Sequence, residues 1–521
     1  MYEIVTQDLH GKLGIYKMPK GDVTTPTFLP VLDPRDNIVS AKDMMDKFGF
    51  NFVITSAYLF LKRYGMPDGK KSIHEFLKFQ GNVMMDSGAY QILAYGDVEI
   101  DPIQSLKIQA SLETDVGVIL DIPTPPTDTF QEAKEKMEGT IDRIKISLDF
   151  IKRNQNIIWT LPIQGGKNTP LIKKYIEEIK REDYAKYFGF HALGSVVPIM
   201  AQYDYITLFS MIKVTRQLLP HNIPLHLFGA GHPMIFPFIV ALGCDVFDSA
   251  AYILYAKEKR YMSSTGTHHL DDLIEFPCPC EVCSRWTPKE LLEEEEEVRT
   301  KKLAEHNLHV SSAEIKKIRV SLKDGRLWEL LELKSKSHPK LYRAFKHILR
   351  ETPSEFWELG TPSKKQIGLK IFDENSFYRP ELSKARTKIL RNYSPKSSKL
   401  LILITSGKKN PLEIFKSNVK IKELIKEKIE NMDIVFFLPF LGLVPVEVSE
   451  TYPFSQFVFS LDLSDEIIHL AQDESLKFIR KMDYQEIEIY QIDPDNIPEQ
   501  KYKSIYEFLE QNVKKIKSLN T

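Results

Sequence analysis

The chain has 521 residues, of which 43% are hydrophobic and 27% charged, a composition typical of about two to four folded domains. This excludes a largely disordered, collagen-like or repeat-dominated protein. Seventy Lys and Arg against 71 Asp and Glu give a net charge of −1, so any nucleic-acid surface must be a local patch. No stretch approaches the roughly 20 apolar residues of a membrane helix, and the N-terminus lacks a signal-peptide pattern. A cytoplasmic protein without a membrane partner is expected.

Eight short runs of β-branched or apolar residues recur in the first half of the chain, and each ends in a small or polar residue. They are residues 28–31, 51–56, 82–88, 116–123, 157–166, 187–195, 224–231 and 244–249. Stretches with helical periodicity, such as residues 131–153, separate most of them. Eight strands alternating with helices predict an α/β fold, a (β/α)8 TIM barrel.

Polar or small residues close five of these runs, at Asp86, Asp121, Gln164, Gly194 and Asp248. In a (β/α)8 barrel the C-terminal ends of all strands meet at one rim, where the working groups lie. Each aspartate alone is equally well explained as the cap of the helix that follows it. Five polar or small residues at strand ends, all on one rim, favour a functional site instead.

Three of the four cysteines fall within six residues, at Cys278, Cys280 and Cys283, and His306 follows them. A disulfide framework needs more cysteines in a secreted chain, whereas clustered thiols in a reducing compartment indicate a metal. Three thiolates and one imidazole hold zinc tetrahedrally and leave no open coordination position. We therefore predict one structural zinc ion per chain, with His306 preferred over His309. Free buried thiols are the alternative, and the charged surroundings disfavour it.

The residues after the cysteines set a geometric condition on this site. Thr287, Pro288 and Glu290 have the spacing of a helix N-cap, a first helical proline and a capping box. A straight helix from this point would carry His306 about 27 Å away. The chain must therefore break or reverse within residues 291–300.

The barrel domain is expected to span residues 1–350, with the zinc site as an insertion at 278–306 and basic helices at 313–350. The last of these helices carries six basic residues and no acidic one between residues 334 and 350. They are Lys334, Lys336, Lys340, Arg343, Lys346 and Arg350. A solvated helix face and a surface that follows nucleic-acid phosphates both explain such a run, and charge alone does not decide between them.

The remainder of the chain is expected to form a smaller C-terminal α/β domain. Residues 351–397 are punctuated by Pro and Ser with little helical pattern, which indicates a connector. Within residues 398–521, buried strands are predicted at 399–407 and 435–445, and a helix at 412–432. This part of the sequence contains no catalytic motif that we can identify.

Seven motifs stand out in the first 310 residues. They are MMDSGAYQI (84–92), LDIPTPP (120–126), PIQGG (162–166), HALGSVVP (191–198), FGAGHP (228–233), CDVFDSAAY (244–252), and CPCEVC (278–283) with AEHN (304–307). In this order they resemble the tRNA-guanine transglycosylases, and in particular the archaeal, archaeosine-forming branch of that family. Their combination is far more specific than any single motif.

The resemblance implies a base exchange in tRNA. Guanine at position 15 in the D-loop would be replaced by 7-cyano-7-deazaguanine (preQ0) through a covalent enzyme–ribose intermediate, in archaeosine biosynthesis. The implied partners are tRNA, 7-cyano-7-deazaguanine and a second copy of the chain, which would form a homodimer through the zinc region. No redox cofactor or nucleoside triphosphate is implied.

Such an exchange is chemically close to a retaining glycosidase, in which two carboxylates divide the work. One carboxylate attacks C1′ of the ribose, and the other manages the proton on the leaving and incoming base. We assign Asp248 as the nucleophile and Asp86 as the general acid/base, and the reverse assignment of roles stays open. Two carboxylates this close should titrate as a coupled pair.

The other rim residues suit a flat base with an amidine-like edge. Asp121 can accept from the ring N–H and the exocyclic amine, and Gln164 can donate to O6. The backbone N–H of Gly194 or Ser195 can also donate to O6, and backbone donors in the same loop can meet the uncharged cyano group. The predicted substrate-binding residues are Asp121, Gln164, Gly194, Ser195, Val196, Val197, Ser87 and Tyr90. For Tyr90, a core aromatic is an equally good interpretation.

Two departures from the family pattern bear on these expectations. Ser195 stands where a second glycine is expected, and the sequence ends without the small RNA-binding PUA module typical of archaeal members. Either the affinity for tRNA is then weaker, or a separate PUA-domain protein supplies the missing contacts.

Two alternative functions are an amidine-forming paralogue on the same scaffold and a non-catalytic tRNA-binding subunit. The paralogue should lack the aspartate pair and carry its own nucleophile motif, and the binding subunit should lose Asp86 or Asp248. Both aspartates are present. A zinc-dependent hydrolase on a barrel would need an open metal position, and the three-cysteine ligand set argues against it.

Overall fold

A computed structural model describes residues 1–34, 37–90, 100–362, 365, 367–461, 463–492, 497, 499–512 and 516–518. The chain divides into two compact units, residues 1–348 and residues 349–521. An eight-stranded sheet organises the first unit and a five-stranded sheet the second. Among the described residues, no helix is both long and apolar enough to cross a lipid bilayer.

The first unit is a parallel barrel preceded by a small antiparallel sheet of β1 (Tyr2–Asp8), β2 (Gly11–Tyr16) and β3 (Val23–Thr25). The barrel strands are β4 (Thr27–Pro30), β5 (Phe52–Ser56), β6 (Asn82–Asp86), β7 (Val116–Val118), β8 (Ile158–Ile163), β9 (Phe190–Leu193), β10 (Leu225–Leu227) and β11 (Val246–Ser249). They pair in the order β4-β11-β10-β9-β8-β7-β6-β5, and a parallel bridge between Val31 and Ile54 brings the two end strands together. Each strand overlaps one of the eight predicted runs, which confirms the fold class.

Helices follow most of these strands. In chain order they are α1 (Ala41–Asp46), α2 (Ala57–Tyr64), α3 (Ile73–Leu77), α4 (Pro102–Ser111), α5 (Phe130–Arg153), α6 (Thr169–Arg181), α7 (Val197–Ala201), α8 (Tyr205–Leu218), α9 (Phe236–Ala241) and α10 (Ala251–Lys257). The helix predicted at residues 131–153 is α5. It begins at Phe130 because Thr129 and Glu132 form a capping box.

Side chains fill the barrel, as expected for this fold. Inward-facing residues of the strands, including Leu29, Met84 and Phe190, form one buried cluster. Residues of the N-terminal sheet and of the loop between β2 and β3 complete this cluster. Tyr16 of β2 packs against Phe190, with ring centroids 4.8 Å apart. Because Tyr16 also donates to the carbonyl of Gly189, just before β9, the N-terminal sheet covers the end of the barrel where the strands begin. The opposite rim is therefore the one that carries the strand-closing polar residues.

The metal segment follows α10. It contains the hairpin β12 (Arg260–Met262) and β13 (Thr267–His269), then α11 (Glu281–Arg285), α12 (Pro288–Glu293) and α13 (Glu296–Asp324). Glu294 and Glu295 have extended backbone and separate α12 from α13, which confirms the predicted break within residues 291–300. The capping box of Thr287 and Glu290 is also present. Two further helices follow, α14 (Leu327–Ser335) and α15 (Pro339–Glu351).

The second unit contains strands β14 (Leu369–Ile371), β15 (Lys399–Ile404), β16 (Asp433–Leu438), β17 (Gly442–Pro445), β18 (Phe457–Phe459), β19 (Glu486–Gln491) and β20 (Ile516–Ser518). Its helices are α16 (Ser354–Glu358), α17 (Pro380–Asn392), α18 (Pro411–Ser417), α19 (Val419–Lys428), α20 (Asp465–Met482) and α21 (Glu499–Asn512). The main sheet has the order β17-β16-β15-β19-β20, and only the β16–β17 pair is antiparallel. Alternate residues of β15 enter two separate hydrophobic cores, which explains its continuous apolar run.

Two expectations for this part of the chain are wrong. Little helical structure was expected in residues 351–397, but this stretch contains α16, α17 and β14. Leu382 and Ile389 of α17 belong to the core of the second unit. Residues 412–432 form two helices and not one, because Asn418 interrupts them and caps α19 with its side chain.

Candidate active site and metal centre

The predicted catalytic and base-binding residues lie on consecutive strands of the barrel. Asp86 ends β6, Asp121 follows β7, Gln164 follows β8 and Gly194 follows β9, whereas Asp248 lies in β11 beyond β10. All these positions are at the C-terminal ends of parallel strands, so the side chains share one rim. This is the face on which (β/α)8 barrels carry their active sites.

Asp86 is a carboxyl group with two other carboxylates near it on the rim. Burial raises its pKa, and the carboxylates of Asp121 and Asp248 raise it further, to about 7. The backbone N–H of Gly88 donates to Oδ2 at 3.3 Å, which opposes this shift only weakly. Asp86 can therefore exchange a proton near neutral pH, as a general acid or base requires.

Asp248 is held by two donors on one of its oxygens. Oδ1 accepts from the backbone N–H of Gly229 at 3.0 Å and lies 2.8 Å from Nε2 of His226. Gly229 has φ +70°, and a Cβ there would lie 2.3 Å from a methyl of Val197, so only glycine fits this position. Because Oδ1 carries both contacts, Oδ2 is the oxygen that can face a substrate.

Asp121, Gln164 and Gly194 form one connected group. The Gln164 side-chain amide donates to Asp121 Oδ2. A Cβ at Gly194 would lie 2.6 Å from Gln164 Nε2, so this approach requires glycine. Burial raises the pKa of Asp121, although the Gln164 amide and the charge of Arg143 act in the opposite direction. The Gly194 N–H donates to the carbonyl of Ile163, which leaves Ser195 as the better of the two backbone donors suggested for O6.

Ser195, the departure from the family pattern, has a left-handed backbone with φ +63°. This region favours glycine. The hydroxyl offsets the cost, because it donates to Gln164 Oε1 at 2.9 Å and accepts from the N–H of Thr124 at 2.9 Å. Ser195 thereby joins the loops that follow β7, β8 and β9.

The four remaining predicted residues lie beside these groups along the chain. Ser87 is fully buried, and its hydroxyl has no hydrogen-bond partner among the described residues. Val196 is buried and Val197 half-buried at the start of α7. The Tyr90 side chain is 47% exposed, so the interpretation as a core aromatic is wrong.

His226 is the residue of this site that sequence reasoning missed. It lies inside the apolar run of β10, its side chain is fully buried, and Nδ1 has no partner among the described residues. Since Asp248 can only accept when ionised, Nε2 of His226 must be the donor. The available signal was a single imidazole in an otherwise apolar strand, which requires a polar partner.

The three cysteines and His306 meet at one point. Their ligand atoms all lie within 4.8 Å of one another, and His306 Nδ1 is 3.5 Å from the Sγ of Cys280 and 3.3 Å from that of Cys283. A tetrahedral zinc ion places its sulfur and nitrogen ligands about 3.6 Å apart. The donor set and its spacing therefore fit a tetrahedral metal ion.

The surroundings of His306 orient the ring for this role. Its Nε2 lies 2.8 Å from the carbonyl oxygen of Met262, so the N–H is on Nε2 and Nδ1 faces the thiols. The ring of Tyr261 stacks on the imidazole with centroids 3.8 Å apart. The competing residue, His309, packs against Phe48 instead.

The first unit thus combines a parallel barrel, a rim with three carboxyl groups and a Cys3His cluster that could hold a metal ion. The queuine tRNA-ribosyltransferase family matches residues 8–340. The chain belongs to this family of transferases, which confirms the resemblance found in the motifs.

Individual relatives match over nearly the whole chain. The tRNA-guanine(15) transglycosylase of Saccharolobus solfataricus is 36% identical over 497 residues, which are 94% of this chain and 96% of the relative. That of Sulfolobus acidocaldarius is 37% identical over 491 residues, 94% of each chain. That of Aeropyrum pernix is 37% identical over 455 residues, 87% of this chain and 86% of the relative.

Proposed function

We propose that this protein exchanges guanine at position 15 of tRNA for 7-cyano-7-deazaguanine, as a step in archaeosine biosynthesis. The observation that carries the proposal is the grouping of Asp86, Asp121 and Asp248 on one barrel rim, in a chain similar to tRNA-guanine(15) transglycosylases. This reaction needs a nucleophile, a proton carrier and an acceptor for the edge of a base, and the rim offers one carboxyl group for each.

In the proposed mechanism, Asp248 Oδ2 attacks C1′ of nucleotide 15. The bond from C1′ to N9 of guanine breaks with its electron pair moving to the base, and Asp86 gives up a proton to neutralise the leaving guanine. The ribose is then joined to Asp248 as an ester. The incoming base loses its N9 proton to Asp86, N9 attacks C1′, and the carboxylate of Asp248 is released.

Asp121 and Gln164 are the residues that we assign to base recognition, with the Ser195 N–H as a donor to O6. The cyano group would then point to the backbone of Val196 and Val197. Ser87 and Tyr90 would contact the bound base or its ribose from the β6 side. The close approach of Gln164 to Gly194 supports a flat, tightly bounded site.

We assign zinc, one ion per chain, to Cys278, Cys280, Cys283 and His306. Four protein ligands satisfy a tetrahedral ion, so the metal would stabilise the segment and take no part in the base exchange. We also propose a homodimer formed through this segment. Support comes from Ile274, a large apolar side chain that is 97% exposed a few residues before Cys278. A separate PUA-domain protein remains a proposed partner on tRNA.

The test of this function is the release of labelled guanine from position 15 of a tRNA transcript when 7-cyano-7-deazaguanine is added. The proposal expects one guanine released per base incorporated, and no reaction with the same transcript carrying adenine at position 15. Release from another position, or incorporation of a different 7-deazaguanine only, would contradict it.

The raised pKa of Asp86 predicts a pH-dependent stability. In the folded state the Asp86 carboxyl group keeps its proton up to about pH 7, whereas in the unfolded chain it loses the proton near pH 3.8. The contribution of the protonated Asp86 to the free energy of unfolding is therefore fully present below the pKa of the unfolded chain. It is lost as the pH rises through about 7. Asp86→Asn cannot lose a proton, so its free energy of unfolding should rise relative to the intact protein between about pH 4 and pH 8, by roughly 4 kcal/mol.

Urea unfolding of both proteins across this pH range measures the difference. Asp142→Asn, at an exposed aspartate on α5, is the matched control and should show no such trend. If the difference in free energy of unfolding between Asp86→Asn and the intact protein stayed constant with pH, the raised pKa of Asp86 would be contradicted.

His226 is predicted to act as a positioning residue for Asp248. Loss of a hydrogen bond to a charged group costs about 1.5–3 kcal/mol, so His226→Leu should lower the exchange rate at saturating tRNA by roughly 10- to 150-fold. The KM for tRNA should change little, because His226 is buried beneath Asp248. His226→Gln keeps a donor and should recover part of the rate. This role would be contradicted if both variants lost the same fraction of the exchange rate, or if only the KM for tRNA changed.

A further inference from the structure

Helix α15 separates an apolar face from a basic one. Leu341, Ala344, Phe345 and Ile348 are buried, and the ring of Phe345 meets that of Phe238 on α9 at 5.8 Å. The basic residues of α15 lie on the other side of the helix. Their exposure is therefore fixed by the packing of the apolar face against the barrel.

Among the basic residues between 334 and 350, Lys334 and Arg350 differ in their surroundings. Lys334 is buried, pairs with Glu314 at 3.0 Å and donates to the carbonyl of Ser264. Arg350 pairs with Glu466. Lys334 is therefore not part of an exposed basic surface, whereas Arg350 is paired at the surface. Lys336, Lys340 and Arg343 are exposed, and Lys346 is half-buried.

Aromatic side chains alternate with these four cations. The ring of Tyr203 stacks on His338 with centroids 4.8 Å apart and an angle of 16° between planes. The Lys340 ammonium lies 5.6 Å from the centre of the Tyr203 ring and donates to the carbonyl of Gln202 at 3.0 Å. Tyr203 remains 46% exposed. An exposed ring held in a fixed orientation beside a cation is suited to stacking on a nucleotide base.

A second ring repeats this arrangement along the helix. The Lys336 ammonium lies 4.8 Å from the centre of the Tyr342 ring, and that of Lys346 lies 5.7 Å from it. We define the basic patch as the surface formed by four exposed residues and three half-buried ones. The exposed residues are Lys336, Lys340, Arg343 and Tyr203, and the half-buried ones are His338, Tyr342 and Lys346. Lys340, Arg343 and Lys346 follow one another at three-residue spacing on α15 and so form a row.

The basic patch is adjacent to the candidate active site along the chain. Helix α7 joins the Ser195 loop to Tyr203, and a five-residue helix is only about 7.5 Å long. Val197, at the start of α7, also approaches Gly229, the residue that donates to Asp248. A polynucleotide with one nucleotide at Asp248 would therefore have its neighbouring nucleotides within reach of the patch.

We propose that the basic patch binds the sugar–phosphate backbone of tRNA beside the nucleotide undergoing exchange, with Tyr203 as a stacking platform. The inference rests on the proposed function for the identity of the nucleic acid. Charge complementarity supports this occupant, because residues 334–350 contain no acid while the whole chain has a net charge of −1. The rows of phosphates in tRNA match a row of cations, and such contacts weaken with salt.

The test is tRNA binding by the full chain as a function of salt, using a transcript labelled for fluorescence anisotropy. Lys340→Gln, Arg343→Gln and Lys346→Gln are combined in one variant. Its Kd should rise roughly 10- to 100-fold near physiological salt, and the slope of log K against log salt should fall by about 2–3. Arg343→Gln alone should reduce this slope by about 1. Tyr203→Leu should raise Kd without changing the slope.

A matched control removes three exposed lysines from the opposite end of the barrel, with Lys152→Gln, Lys180→Gln and Lys186→Gln. Equal Kd values and slopes in the two triple variants would overturn the proposal. The proposal would also be overturned if the patch variant bound an acidic polypeptide more weakly than the intact protein does but bound tRNA with unchanged affinity. Salt-dependent tRNA binding that needs the patch, in a protein without base exchange, would support the patch and reject the proposed function.

Discussion

Replacing Asp248 by asparagine is expected to lower base exchange by about 10⁴-fold or more, since a neutral amide cannot attack C1′ and no other route to the covalent intermediate remains. The fold should be retained, because asparagine is nearly isosteric and Oδ1 can still accept from Gly229. Exchange is measured under single-turnover conditions with labelled tRNA. The covalent intermediate is detected as a band that survives denaturing electrophoresis.

Asp86→Asn provides the comparison that separates the two roles. It should also lose exchange, but it retains the nucleophile, so a denaturation-resistant adduct can still form. An adduct in Asp248→Asn and none in Asp86→Asn would reverse the assignment of the two aspartates. Full exchange by either variant would contradict the paired-carboxylate mechanism.

Cys283→Ser is expected to release the zinc ion and to destabilise the barrel unit, by on the order of 5 kcal/mol. Without the metal, the bonds that would tie the cysteine loop to His306 on α13 are lost, and the buried imidazole loses its ligand bond. The measurements are zinc content per chain by atomic emission and the melting temperature, before and after treatment with a chelator.

Cys244→Ala is the matched control, because Cys244 is a buried cysteine outside the cluster. It should retain one zinc ion per chain, with a much smaller loss of stability. A Cys283→Ser protein that keeps one zinc ion and the melting temperature of the intact chain would contradict the assigned ligand set. Another metal bound in place of zinc would leave the ligands correct and the ion wrong.

The barrel and the metal ligands were predictable because local patterns determine them. A strand buried on both faces reads as a continuous apolar run, and the chain must then place the following polar residue at the rim. The break before α13 followed from helix length alone, since a straight helix could not return His306 to the cysteines. These conclusions need only spacing and residue type.

Features that depend on partners distant in sequence were not predictable. His226 looks like one polar residue in an apolar strand until β11 brings Asp248 beside it. Lys334 belongs to a basic run in the sequence, yet it is buried because α13 supplies Glu314. The core role of α17 rests on a few apolar residues, such as Leu382, spread through a polar, Pro-containing stretch.

The most direct test of the central claim is incorporation of labelled guanine into unmodified tRNA by the intact protein, with no other base added. This exchange requires the nucleophile, the proton carrier and the base site together, whichever deazaguanine is preferred. We expect label in the tRNA at position 15, at most one per molecule, and label release when unlabelled guanine follows. A protein that binds tRNA and zinc but incorporates no guanine would contradict the account.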